Sequence, residues 1–137
     1  MLPIVVFDTN ILISTVLSRR GTPSRCLQLA KEAKIISVTC QEILDELEEK
    51  LQNKFAYSLA GSQDEIQEVL KYSQLVRISN TLNVITNDPD DNMVLECAVL
   101  GNATHIVTGD KKHLLPLGNY QGIAIVTAAD FLNLIST

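Results

Sequence analysis

Four acidic residues stand at separate structural junctions of this 137-residue chain: Asp8, Glu46, Asp91 and Asp110. Asp8 closes the apolar run Ile4-Val5-Val6-Phe7 and opens Asp8-Thr9-Asn10. Asp110 closes a second run, Ile106-Val107-Thr108-Gly109, and Asp91 lies in Asp88-Pro89-Asp90-Asp91-Asn92, just ahead of a helical pattern. A buried-strand signal that finishes in a carboxylate puts the charge at the strand's carboxyl end. In an open parallel sheet that edge is where ligands bind. Carboxylates gathered there repel one another unless a hard cation lies between them, and Mg²⁺ or Mn²⁺ takes such oxygen ligands. The chemistry these residues suit is that of a metal-dependent acidic site.

Elements able to position these acids follow from periodicity and punctuation. Residues 4–7 read as a short buried strand, followed by a helix from about Asn10 to Ser18 that Arg19-Arg20-Gly21 breaks. Thr22 as N-cap with Pro23 in the first turn starts a helix to about Ala33. Residues 35–39 form a strand, and Gln41 to about Asn53 an amphipathic helix with Ile43, Leu44, Leu47 and Leu51 on one face. A helix from about Gln63 to Ser73, a strand at 75–78 and a polar connection to Asp88 come next. The helix from Pro89 to Leu100 ends at the C-cap signal Gly101-Asn102. Strands at 105–108 and 123–126 and a last helix over 128–135 complete the chain. Alternating strands and helices predict an α/β fold with a parallel sheet covered on both faces.

The composition bounds the possibilities. The length suits a single domain, residues 1–137, with one sizeable core. With 46% hydrophobic and 20% charged residues the chain reads as an ordinary globular protein. No run approaches the ~20 apolar residues of a membrane span, and the N-terminus lacks the layout of a signal peptide. Cys26, Cys40 and Cys97 are widely spaced and form no metal or redox pattern, which predicts reduced thiols in a cytoplasmic protein. A net charge of −5 argues against a broad basic surface for nucleic acid. Small basic groups persist, notably Lys111-Lys112-His113, which follows Asp110 directly and could meet a phosphate.

Each acid also has an ordinary explanation. Asp88 could cap a helix with Pro89 at its first position and Asp91 in the favourable first turn. A cap after residue 7 could come from Thr9 or Asn10, which leaves Asp8 without that excuse, and Asp110 could be a turn residue. Glu46 stands four residues before Lys50, the spacing of a surface ion pair. On the helical wheel Glu46 and Glu48 flank opposite borders of the apolar face, while Glu42, Asp45 and Glu49 point further away. Periodicity does not choose between Glu46 and Glu48.

The pattern as a whole resembles the PIN domain (PilT N-terminus) family of ribonucleases, especially the VapC-like toxins of toxin–antitoxin pairs. The matching pieces are Val6-Phe7-Asp8-Thr9-Asn10, Ile43-Leu44-Asp45-Glu46-Leu47, Asp88-Pro89-Asp90-Asp91-Asn92 and Val107-Thr108-Gly109-Asp110, in the family's order and spanning nearly the whole chain. The resemblance implies a three-layer α/β/α sandwich around a central parallel sheet. It implies Asp8, Glu46, Asp91 and Asp110 as catalytic, metal-binding acids, so favouring Glu46 over Glu48, with Asn10 and Thr108 as polar support. Mg²⁺ or Mn²⁺ is the implied cofactor, RNA the substrate, an antitoxin protein a possible partner, and a homodimer the implied assembly.

Phosphodiester hydrolysis then follows from charge: a divalent ion lowers the pKa of water and bridges phosphate oxygens. No side-chain nucleophile is indicated, since neither His105 nor His113 has a Cys or Ser in a known arrangement. The reading is a metal-dependent endoribonuclease of single-stranded or loop RNA. A haloacid-dehalogenase-type phosphatase also begins with an Asp after strand 1, but wants a second Asp where this chain has Asn10. A non-catalytic RNA-processing or interaction module on the same fold is the other alternative. Without metal, the clustered carboxylates should have raised pKa values, and replacing Asp8 or Asp110 by Asn should stabilise the protein.

Overall fold

The structure, a computed structural model, describes residues 1–84 and 89–135. Asp88, the expected helix cap, lies outside the described residues. Among the described residues, six strands make one sheet: β1 (Ile4–Phe7), β2 (Ile36–Cys40), β3 (Ser73–Val76), β4 (His105–Val107), β5 (Asn119–Tyr120) and β6 (Ile123–Val126). Their order is β3-β2-β1-β4-β6-β5, and every pairing except β5 with β6 is parallel. Seven helices among the same residues flank the sheet: α1 (Thr9–Leu17), α2 (Thr22–Lys31), α3 (Gln41–Phe55), α4 (Leu59–Tyr72), α5 (Pro89–Leu100), α6 (Leu114–Leu117) and α7 (Ala128–Ile135). None among the described residues is long and apolar enough to cross a membrane.

This strand order determines where a site can form. From β1 the chain steps outward through β2 to β3, then returns past β1 to lay down β4 on its other side. Right-handed crossovers place the α1–α4 connections on one face and α5 on the other. The direction therefore reverses between β1 and β4, and the carboxyl ends of those two strands border the resulting crevice. Asp8 and Asp110 follow β1 and β4, so both stand at that edge.

The core explains the strands. Val5, Val6, Phe7, Ile106 and Val107 are buried in the two central strands, which lie under helices on both faces and so read as continuous apolar runs rather than alternating ones. Leu44, Leu47 and Leu51 seal α3 against this layer. Cys26, Cys40 and Cys97 are free thiols, all fully buried.

Several boundaries differ from expectation for local reasons. In α2 the cap position is Gly21, and Thr22 is already helical, because Pro23 fits inside the first turn. α4 starts earlier, at Leu59, since the Ser58 hydroxyl accepts the Gly61 N–H at 2.9 Å. β3 lies two residues earlier than expected, drawn in by pairing with β2, where the Ser37 and Ser73 hydroxyls bond at 2.7 Å. Past α5 the left-handed residue is Asn102 (φ 55°), whereas Gly101 is needed for space. A Cβ there would stand 2.7 Å from Val38 Cγ1 and 2.9 Å from the Cys97 carbonyl.

The sheet is also not wholly parallel. β5 folds back on β6 through Gln121 (φ 51°) and Gly122 (φ 82°), the two positive φ values of a tight hairpin. Finally, Glu96 is buried within α5 and gathers the segment before it. Its carboxylate accepts N–H groups from Asn80 (2.8 Å), Thr81 (3.0 Å) and Leu82 (3.0 Å), together with the Ser79 N–H and hydroxyl. Asn92 adds a further tie, accepting the Val84 N–H at 2.9 Å.

Candidate metal centre

The end of β1 is built into the site by its own hydrogen bonds. Asp8 donates its N–H to the Val107 carbonyl at 3.0 Å, which aligns the ends of β1 and β4. Its side chain caps α1, Oδ1 accepting the Thr9 N–H at 2.7 Å. The cap is therefore Asp8 itself, not Thr9 or Asn10. Oδ2 accepts from the Thr108 hydroxyl at 2.7 Å and from Asn10 Nδ2 at 3.1 Å. Asn10 in turn accepts the Gly109 N–H at 3.2 Å, and Thr108 accepts the Asp110 N–H at 3.0 Å. Asn10 and Thr108 thus cross-link the two strand ends beneath the carboxylates.

Asp110 organises the turn that follows it. Oδ1 accepts N–H groups from Lys112 (3.0 Å) and His113 (3.4 Å), and Oδ2 accepts that of Leu114 (3.2 Å). This carboxylate anchors the start of α6, so its ordinary role as a turn residue coexists with its place at the sheet edge. Asp91 comes from the first turn of α5, and Glu46 from the middle of α3.

These residues converge on one cleft of about 190 Å³ lined by Asp8, Asn10, Glu46, Lys50, Asp90, Asp91 and Asp110. All four expected acids are among them. Glu48 is not among the lining residues, and Asp45 is exposed, with Oδ1 engaged by Gln41 Nε2 at 2.8 Å. The structure therefore resolves the choice that periodicity left open: Glu46, not Glu48 or Asp45, faces the other acids.

Charge is arranged unevenly here. Burial raises the Asp8 carboxyl above its ordinary value, against the lowering effect of its Thr108 and Thr9 hydrogen bonds, and the charges of Glu46 and Asp110 raise it further. Asp110 goes the opposite way. Burial alone would raise it, but a hydrogen bond with Asp91 and the three backbone N–H groups outweigh that and lower it. The expectation that every clustered acid is raised is therefore corrected: burial, with a smaller part from like charge, raises Asp8, whereas the donors around Asp110 outweigh its burial.

Lys50 lines the cleft, which the sequence did not signal, and His113, from the basic group expected to meet a phosphate, adjoins its acids. Lys50 Nζ pairs with Glu46 at 3.1 Å. Burial disfavours its ammonium, yet the hydrogen bond and charge of Glu46, backed by Asp8 and Asp90, hold its pKa above the ordinary lysine value. His113 Nδ1 lies 3.1 Å from Asp91 Oδ2 and 3.7 Å from Asp110 Oδ2. The i,i+4 spacing signalled Lys50 as Glu46's partner but not its position at the cleft. His113 carried no signal beyond its nearness to Asp110. A cleft of carboxylates and one side-chain amide, partly neutralised by a lysine, is a hard-oxygen donor set of the kind that suits Mg²⁺ or Mn²⁺.

Comparison with known proteins agrees with this architecture. A PIN domain family model matches residues 4–112. An uncharacterized protein of Methanocaldococcus jannaschii, MJ1680, is 33% identical over 110 residues, covering 78% of this chain and 70% of that protein. Among solved structures, VapBC2 from Rickettsia felis, bound to a DNA fragment from their promoter, superposes with a TM-score of 0.64 at 17% identity, over 89% of this chain and 96% of the other. PAE2754 from Pyrobaculum aerophilum gives 0.63 at 14% identity, over 99% and 91%. At these identities the two structures speak for the fold.

Proposed function

The chain belongs to the PIN domain family, and from that premise we propose that it is a divalent-metal-dependent endoribonuclease, acting on single-stranded or looped RNA as the toxin of a toxin–antitoxin pair. The observation that carries this reading is the meeting of Asp8, Glu46, Asp91 and Asp110 in one cleft at the switch point of the sheet. PIN domain proteins are in general nucleases. The reading adds RNA as substrate, the cytoplasm as the place of action, an antitoxin protein as partner and a homodimer as the assembly.

When bound, Mg²⁺ or Mn²⁺ supplies an activated water and neutralises charge on the phosphoryl oxygens. Asp8, Asp91 and Asp110 would hold the ion, with Glu46 on the facing wall. Asn10 and Thr108 keep the Asp8 carboxylate from rotating, through the bonds to Oδ2 described above. The backbone donors to Asp110 fix that carboxylate in the same way, so the cluster is ordered before any ion arrives. Lys50 offsets part of the negative charge that would otherwise repel an incoming phosphate.

The test is cleavage of single-stranded RNA with Mn²⁺ and with chelator. Asp8→Asn and Asp91→Asn should abolish cleavage while leaving the protein folded, and Asp45→Asn should have little effect. Dominance of Asp45 over Glu46 would show that the assignment is displaced by one residue. A folded wild type that binds RNA but does not cut it with either ion would favour the non-catalytic module. The phosphatase alternative gains nothing from the family.

A further inference from the structure

The cleft's carboxylates account for oxygen ligands, but a nitrogen lies beside two of them. Asp91, Asp110 and His113 each offer one ligand atom, and these atoms all lie within 4.8 Å of one another. We infer that His113 is a metal ligand through Nδ1, giving this centre a mixed nitrogen–oxygen donor set that favours Mn²⁺ and later first-row divalent ions over Mg²⁺. This rests on the metal-dependent reading above.

Two observations carry the inference. The first is separation. Adjacent ligands of an octahedral ion with bonds of about 2.1 Å stand about 3 Å apart. His113 Nδ1 is 3.1 Å from Asp91 Oδ2 and 3.7 Å from Asp110 Oδ2, so small adjustments bring all three into one coordination sphere. The second is placement. The His113 backbone is held by its N–H bond to Asp110 Oδ1, and its side chain is one-third exposed, so the imidazole is fixed beside both carboxylates.

Coordination needs the Nδ1 lone pair, with the ring proton on Nε2. Imidazole suits later first-row ions such as Fe²⁺, Ni²⁺ and Zn²⁺ best, and Mn²⁺, at the start of that row, accepts it more readily than Mg²⁺, which demands oxygen and retains water. The competing role for His113 is positional, with Nδ1–H donating to Asp91 and orienting that carboxylate. A positional histidine would support Mg²⁺ and Mn²⁺ alike, whereas a ligand separates them.

The experiment uses the full chain without RNA. Mn²⁺ and Mg²⁺ affinities are measured by calorimetry for wild type, His113→Ala and His113→Gln, and the Mn²⁺ samples are examined by electron spin-echo envelope modulation for coupled ¹⁴N. The wild type should show imidazole nitrogen modulation, absent from both variants. Mn²⁺ affinity should fall about ten-fold or more in both, with Mg²⁺ affinity little changed. Thermal melts without metal show that the variants are folded. Stoichiometric Mn²⁺ binding without nitrogen modulation in the wild type would overturn the ligand role and leave the acidic metal site standing. So would modulation that survives in His113→Ala, or an equal loss of both ions. Failure of the wild type to bind Mn²⁺ at all would overturn the inference together with the metal-dependent reading.

Discussion

Replacing Glu96 by Gln should unfasten the segment that leads into α5, the helix that delivers Asp91. Oε2 accepts from the Ser79 N–H, the Ser79 hydroxyl and the Asn80 N–H, and Oε1 from the N–H groups of Thr81 and Leu82. Glutamine retains one acceptor oxygen, so in either orientation at least two of these donors face an amide NH₂. Each hydrogen bond to a charged acceptor contributes ~1.5–3 kcal/mol, and each donor left unpaired in a buried place costs ~1–3 kcal/mol. Because Ser79, Asn80 and Thr81 are themselves exposed, part of the loss is recovered from water. The expected destabilisation is about 2–3 kcal/mol. Burial would raise the Glu96 carboxyl, but the N–H donors outweigh it and lower its pKa. Its contribution is therefore present above the unfolded value, about 4.3, and is lost as pH falls through the folded one. Urea unfolding should show a lower midpoint for Glu96→Gln with an unchanged slope, by a constant margin near pH 7 that closes below about pH 4. Amide exchange at residues 79–82 should accelerate. Unchanged stability with protected amides at these positions would refute the claim that Glu96 organises the segment.

Opposite shifts at Asp8 and Asp110 give a second test: without metal, Asp8→Asn should melt above wild type and Asp110→Asn below it. Asp8 is raised, so its stability contribution is complete below its unfolded pKa and lost as pH rises through the folded value. The advantage of Asp8→Asn should thus be largest at neutral pH and vanish in acid. Asp110 is lowered and follows the reverse course, and melts across pH check both. Saturating Mn²⁺ should raise the wild-type melting temperature by the increment RT ln(1 + [L]/Kd) allows, and both variants should gain less, read at fixed ionic strength. Gly101→Ala should cost about 1–3 kcal/mol, because its Cβ has no space between Val38 and the Cys97 carbonyl; denaturant melts measure this.

What the sequence made legible was what local period and punctuation encode. Apolar runs ending in Asp8 and Asp110 located the sheet edge, since buried parallel strands carry no alternation to obscure them. The wheel of α3 pointed Asp45 away from the apolar face, and it is exposed, but Glu46 and Glu48 flank that face symmetrically, and only the placement of α3 beside α1 and α5 separates them. The pairing of His113 with Asp91 was opaque because it depends on a turn wound around the Asp110 carboxylate. Glu96 looked like an ordinary helical acid, and its partners lie 14–17 residues earlier in an irregular segment. The β5 hairpin was missed because Gln121 takes a left-handed conformation usually signalled by Asn, Asp or Gly.

Anomalous difference density from a crystal equilibrated with Mn²⁺ shows directly whether Asp8, Glu46, Asp91 and Asp110 hold a divalent cation. A peak is expected in the cleft about 2.1 Å from carboxylate oxygens of Asp8, Asp91 and Asp110, with Glu46 bound directly or through water. A saturated crystal with no peak in the cleft, or with Mn²⁺ bound only at other surface carboxylates, would contradict it.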